Sequence, residues 1–117
     1  MPEAEPVPSR RVAAFVHLVE ILLPVYDREG RPFAAGLYAK LREELVERFG
    51  GLTAFSRAPA EGFWEPEAGE RSRDDIVIFE VMAAALDRDW WSGFREELER
   101  RFDQDEIVIR ASRVERL

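Results

Sequence analysis

The chain has 117 residues, 46% of them apolar and 35% charged, with 24 Asp and Glu against 17 Lys and Arg and a formal net charge of −7. That composition describes one ordinary globular domain, and its acidic balance argues against nucleic acid, whose affinity comes mainly from Lys and Arg neutralising phosphates. The absence of cysteine excludes disulfides, thiolate metal sites, iron–sulfur clusters and a thiol nucleophile.

Residues 1–14 read as a flexible leader ahead of a single domain over 15–117. Met1 to Pro8 is acidic and proline-rich where a signal peptide needs a basic start and an apolar segment, which points to a cytoplasmic protein. The apolar stretch Val12–Val25 is too short for a bilayer span and is interrupted by His17, Glu20 and Pro24, so no membrane helix is expected. Phe15 to Val25 predicts a buried strand that stops at the turn-rich Tyr26-Asp27-Arg28-Glu29-Gly30. Pro32 suits the first turn of a helix, along which Phe33, Leu37, Leu41, Leu45 and Phe49 recur every four residues until Gly50-Gly51.

Leu52 to Ala58 predicts a second strand, placed at a sheet edge by Pro59, which cannot donate to a ladder. A polar connection, Glu65 to Asp74, leads to a third strand, Asp75 to Met82, rich in β-branched residues. Asp87 or Asp89 can then cap a second helix running to about Phe102, with Trp91, Phe94, Leu98 and Phe102 as its apolar stripe. Glu106 to Ala111 predicts the fourth strand, followed by a charged tail.

The resulting order is β-α-β-β-α-β. It is the signature of an α+β, ferredoxin-like sandwich: a four-stranded antiparallel sheet in order 4-1-3-2 with two helices on one face. Side chains alternate across a strand, so the strands can be sorted by face. Val19, Ile21 and Leu23 with Val77, Phe79, Val81, Ile107 and Ile109 should meet the helices. The other face receives Leu18, Glu20, Leu22, Ile76, Ile78, Glu80, Met82, Val108 and Arg110. That second face is too apolar for open water, and it predicts a cover, most simply the same face of a second subunit in a two-fold homodimer.

The candidate site residues follow from the same sorting. Glu20, Glu80 and Arg110, with His17 as a further candidate, would line a cavity between sheet and cover, where a buried carboxylate could serve as a base; alternatively they form an ion-pair network at a dimer seam. His17 is the only histidine. Neither Asp74-Asp75 nor Asp103-Gln104-Asp105-Glu106 matches a ligand spacing, so no metal and no cofactor are expected. Gly50-Gly51 closes a helix instead of opening one and is no phosphate cradle, and no Gly-x-Ser-x-Gly elbow is present. Trp91 continues the stripe of the second helix, whereas Trp90 lies one step around it and should cover the margin of the core or a subunit contact.

Three stretches, Phe49-Gly50-Gly51-Leu52-Thr53-Ala54-Phe55, Gly62-Phe63-Trp64 and Arg101-Phe102-Asp103-Gln104-Asp105-Glu106-Ile107-Val108-Ile109, stand in this order in the chain. Over residues 17–111 the chain resembles a small bacterial family of unknown function with a ferredoxin-like domain, and more broadly the dimeric α/β-barrel proteins. The resemblance implies the fold, and it makes Trp64 and Gln104 family-like positions for hairpin and corner geometry; it supplies no reaction. The departures are Phe63, inserted between Gly62 and Trp64, and Asp105, inserted before Glu106.

The leading expectation is therefore a cytoplasmic homodimer that binds a small organic molecule or serves as an accessory module. The alternatives are a cofactor-free isomerase or monooxygenase with Glu20 or Glu80 as base and Arg110 orienting an anion, and a purely structural interaction module.

Overall fold

The computed structural model describes residues 14–57 and 75–117. The elements are β1 (Ala14–Pro24), α1 (Ala35–Phe49), β2 (Thr53–Arg57), β3 (Ile76–Ala83), α2 (Arg88–Arg101) and β4 (Val108–Arg116). The strands form one sheet in the order β2-β3-β1-β4, with every neighbouring pair antiparallel. This is the expected 4-1-3-2 order read from the opposite edge. Pro59, Trp64 and the connection Glu65 to Asp74 lie outside the described residues.

The helix-facing side carries the core. Val19, Ile21 and Leu23 of β1 and Phe79 and Val81 of β3 are buried against Leu41 and Leu45 of α1 and Trp91 and Leu98 of α2, together with Phe102 and Ile107. Because all of these strand residues share one face, both helices lie on that face. An ion pair ties the helices together, Arg101 Nη1 standing 3.1 Å from Glu44 Oε1.

Two boundaries differ from the sequence expectation. α1 starts at Ala35, not at Pro32, because the preceding residues close a corner of their own. Tyr26 and Pro32 form an isolated antiparallel bridge, and the Phe33 amide donates to the Val25 carbonyl at 3.2 Å. Inside the corner the Asp27 carboxylate accepts the amides of Arg31 and Glu29, both at 2.8 Å, and Gly30 takes φ 85°. The Arg31 amide, foremost among these contacts, holds the Asp27 carboxyl below its ordinary range. At the far end the Gly50 stop behaves as expected, with φ 86° and its amide on the Val46 carbonyl at 2.7 Å.

The second difference is β4, which continues to Arg116 where a charged tail was expected. Val114 and Arg116 pair with Val16 and Ala14, supplying partners for the start of β1, which β3 does not reach. An outermost strand can carry Arg113, Glu115 and Arg116, because their side chains extend into water. For α2 the cap is Asp87, whose Oδ1 accepts the Trp90 amide at 3.0 Å. Arg28 fastens the β1–α1 corner to the exit of α2, its Nε donating to the Asp103 carbonyl at 3.0 Å and its Nη2 to Asp105 Oδ1 at 3.1 Å.

Candidate functional site

Two regions of the sheet compete as a working surface. The first is the face turned away from the helices. The pairing register aligns its side chains in rows across the strands, one being Thr53, Glu80, Glu20 and Arg110 and the next Phe55, Ile78, Leu22 and Val108. The polar row brings three of the sequence-derived candidates together. Arg110 Nε donates to Glu20 Oε1 at 2.8 Å, and Glu80 stands directly across β1–β3 from Glu20. Glu80 makes no hydrogen bond or ion pair among the described residues. Around this row Phe55, Met82 and Val108 are exposed at 42%, 49% and 46%, so the face keeps the apolar character its alternation implied.

His17 does not join this set, which is a correction. It pairs in register with Ala83 and Arg113 and shares the parity of Val19 and Ile21, so it projects on the helix-facing side. Its Nδ1 is buried without a hydrogen-bond partner among the described residues. Trp90 packs at the core's margin: it lies against Phe49 and Phe94 with ring centroids at 5.7 and 4.7 Å, and the Arg48 guanidinium sits 3.9 Å above its ring. Trp91 stacks on Phe49 at 5.3 Å. Trp64, the third tryptophan, lies outside the described residues. No group of three or more His, Asp or Glu side chains among the described residues could hold a metal ion, and no helix there is long and apolar enough to cross a membrane.

The second region was not singled out from sequence. A groove of about 470 Å³ runs between α1 and the β2–β3 side of the sheet. Its origin is a matter of side-chain size. On β2 the helix-facing residues are Ala54 and Ser56, which pair with Phe79 and Val77. Neither is large enough to fill the space beneath α1, and both are exposed. Val25, Phe33, Tyr38 and Val77 also line it, together with Phe79, which is buried. The Tyr38 hydroxyl donates to the Pro24 carbonyl at 2.5 Å, and burial pushes the phenol's pKa up from its ordinary value. Among the described lining residues the polar groups left over are the Ser56 hydroxyl and the Arg42 guanidinium, whose Cζ lies 5.7 Å from the centroid of the Phe79 ring.

The other sheet edge repeats the design at smaller scale. Ile109 and Ala111 of β4 face α2 across a groove of about 230 Å³ that Arg88, Ser92 and Arg95 also line. Arg95 is occupied by Glu99 at 3.3 Å. The only advance signal for either groove was the small residues Ala54, Ser56 and Ala111 at helix-facing positions of the edge strands.

No protein-family model matches the chain, and no curated protein matches its sequence. Among solved structures, the chain is similar to a phage SAM lyase in complex with S-methyl-5′-thioadenosine, with a TM-score of 0.57 and 12% identity, covering 91% of this chain and 87% of that one. At this identity the likeness is one of fold and leaves function to be argued from the site.

Proposed function

We propose that this chain is a ferredoxin-like, small-molecule-binding module that assembles as a homodimer through its open sheet face. The observation that carries the binding reading is the α1–β2 groove of about 470 Å³, lined by Val25, Phe33 and Val77 and offering two polar groups, Arg42 and Ser56. That combination of apolar wall and few polar groups is how small-molecule sites are usually built. The phage lyase adds that a protein of similar fold holds a small organic molecule.

The dimer reading rests on the other face. A second copy would cover Phe55, Met82 and Val108 and could bring a cation to Glu80, since the Arg110 guanidinium is half exposed and uses only its Nε toward Glu20. With Glu20 engaged by Arg110, this row serves better as a self-complementary seam than as a base and its substrate pocket.

A small-molecule library screened by protein-observed NMR tests the binding reading. Ligands should perturb the amides of Ser56, Val77 and Phe79, and Ala54→Trp, which places an indole in the groove from an exposed position, should abolish the perturbations. Hits that persist unchanged in Ala54→Trp, or that cluster on the open sheet face, would overturn it.

A further inference from the structure

The groove has a charge asymmetry that specifies its ligand further. The chain as a whole carries −7, yet the described residues lining this groove include one arginine and no Asp or Glu. Most arginines elsewhere on the helices and corners are committed. Arg28 binds Asp105, Arg31 binds Glu29, Arg95 binds Glu99, Arg100 binds Glu97, Arg101 binds Glu97 and Glu44, and Arg110 binds Glu20. Arg42 makes neither a hydrogen bond nor an ion pair in the described structure; its guanidinium rests over the Phe79 ring at the groove. Its planar fork of donors stands at a largely apolar groove, with Ser56 as a neutral donor on β2.

We propose that the α1–β2 groove takes a small monocarboxylate with a flat apolar body, the carboxylate received by Arg42 and the body lying against Val25, Phe33 and Val77. This rests on the reading of the groove as the binding site. A single guanidinium balances one negative charge, and its fork matches the two oxygens of a carboxylate. The apolar body follows from the lining, because Val25, Phe33 and Val77 offer a ligand no hydrogen bonds from their side chains. Arg42 is then the specificity-determining residue. A neutral analogue of the same shape would still fill the trough and would leave the guanidinium unanswered.

Calorimetric titration with 2-naphthoate and with 2-naphthamide, two probes of nearly equal shape that differ in charge, tests the proposal. The wild-type protein should bind the carboxylate about ten-fold more tightly or better, as expected for a charge-assisted hydrogen-bonded pair. In Arg42→Gln that preference should vanish while naphthamide affinity is kept, and Arg42→Lys should recover part of it. Because Arg42 is exposed, these variants keep the core intact. Equal affinities in the wild type, or a carboxylate preference that survives Arg42→Gln, would overturn the proposal while leaving the groove as the site, provided Ala54→Trp still abolishes both probes. Binding of neither probe, or binding indifferent to Ala54→Trp, would overturn the proposal together with the reading beneath it.

Discussion

Across the β1–β4 pair the Arg110 guanidinium meets the Glu20 carboxylate at 2.8 Å, while on the other side of Glu20 the Glu80 carboxylate stands directly opposite in the β1–β3 register. Two like charges facing each other across an antiparallel pair repel, and Arg110 is the cation that offsets this. Arg110→Met should therefore cost about 1 kcal/mol in urea unfolding, within the range of exposed ion pairs and cross-strand charge contacts. Adding Glu80→Gln should recover most of the loss. Additive losses in the double variant would show that the carboxylates do not communicate.

The dimer reading is checked by sedimentation. Met82→Glu and Phe55→Glu place a charge on the open face at exposed positions, so the fold should survive while the proposed dimer falls to monomer. Val46→Glu, at an exposed apolar position on α1, is the control and should leave the assembly unchanged. A wild-type protein that sediments as a monomer at micromolar concentration defeats this part of the proposal.

Phe102 is fully buried and packs edge-to-face with Phe33 and at a tilt with Tyr38, at centroid distances of 5.2 and 5.5 Å. It joins the corner before α1 to the exit of α2. Phe102→Ala should cost about 3–5 kcal/mol in chemical denaturation, through lost burial and the cavity left behind. Phe33→Ala, at a half-buried position on the same contact, should cost less.

At the start of α2 the two aspartate candidates separate cleanly. Asp87→Ala removes the acceptor of the Trp90 amide and should destabilise by about 1 kcal/mol. Asp89, in the first turn, interacts with the helix dipole and caps nothing, so Asp89→Ala should have the smaller effect in the same denaturation series.

Tyr38 supplies a pH dependence whose sign is fixed. Burial raises its pKa in the folded state, so the unfolded chain releases the phenolic proton first as pH rises. The folded state keeps its full advantage from this group below the unfolded tyrosine pKa and loses it as pH climbs from there through the raised folded value. Tyr38→Phe should flatten that alkaline decline in the urea midpoint, measured between about pH 9 and 11, where tyrosines titrate. It should also remove the later-titrating phenol from the absorbance titration. An unchanged slope would separate Tyr38 from the alkaline loss.

Much of the sheet was legible because alternation is a strong constraint. With Val19, Ile21 and Leu23 turned to the helices, Glu20 had to fall on the other face, and the β-α-β-β-α-β order then put Glu80 and Arg110 on its two neighbours. His17 obeys the same parity, and its odd number alongside Val19 already assigned it to the helix side. The groove was harder to see because it is built from what is missing. Ala54 and Ser56 carry no motif, and the corner that delays α1 to Ala35 comes from the Asp27 carboxylate accepting the Glu29 and Arg31 amides, which a helical apolar pattern starting at Phe33 conceals. The full length of β4 was hidden for a related reason. Charge composition suggests a tail, whereas the unpaired backbone of β1 demands a partner.

The position of β1 between β3 and β4 also governs how the chain reaches its folded state. Glu20 and Arg110 are 90 residues apart, and neither neighbour of β1 is available when β1 is first formed. Closing such distant contacts is entropically expensive before any burial compensates, which slows assembly toward the millisecond-to-second range of long-range β topologies. Through that interval the apolar run of β1 is an unpaired edge on both sides, open to other chains. Refolding yield should fall with protein concentration more steeply than final stability would suggest.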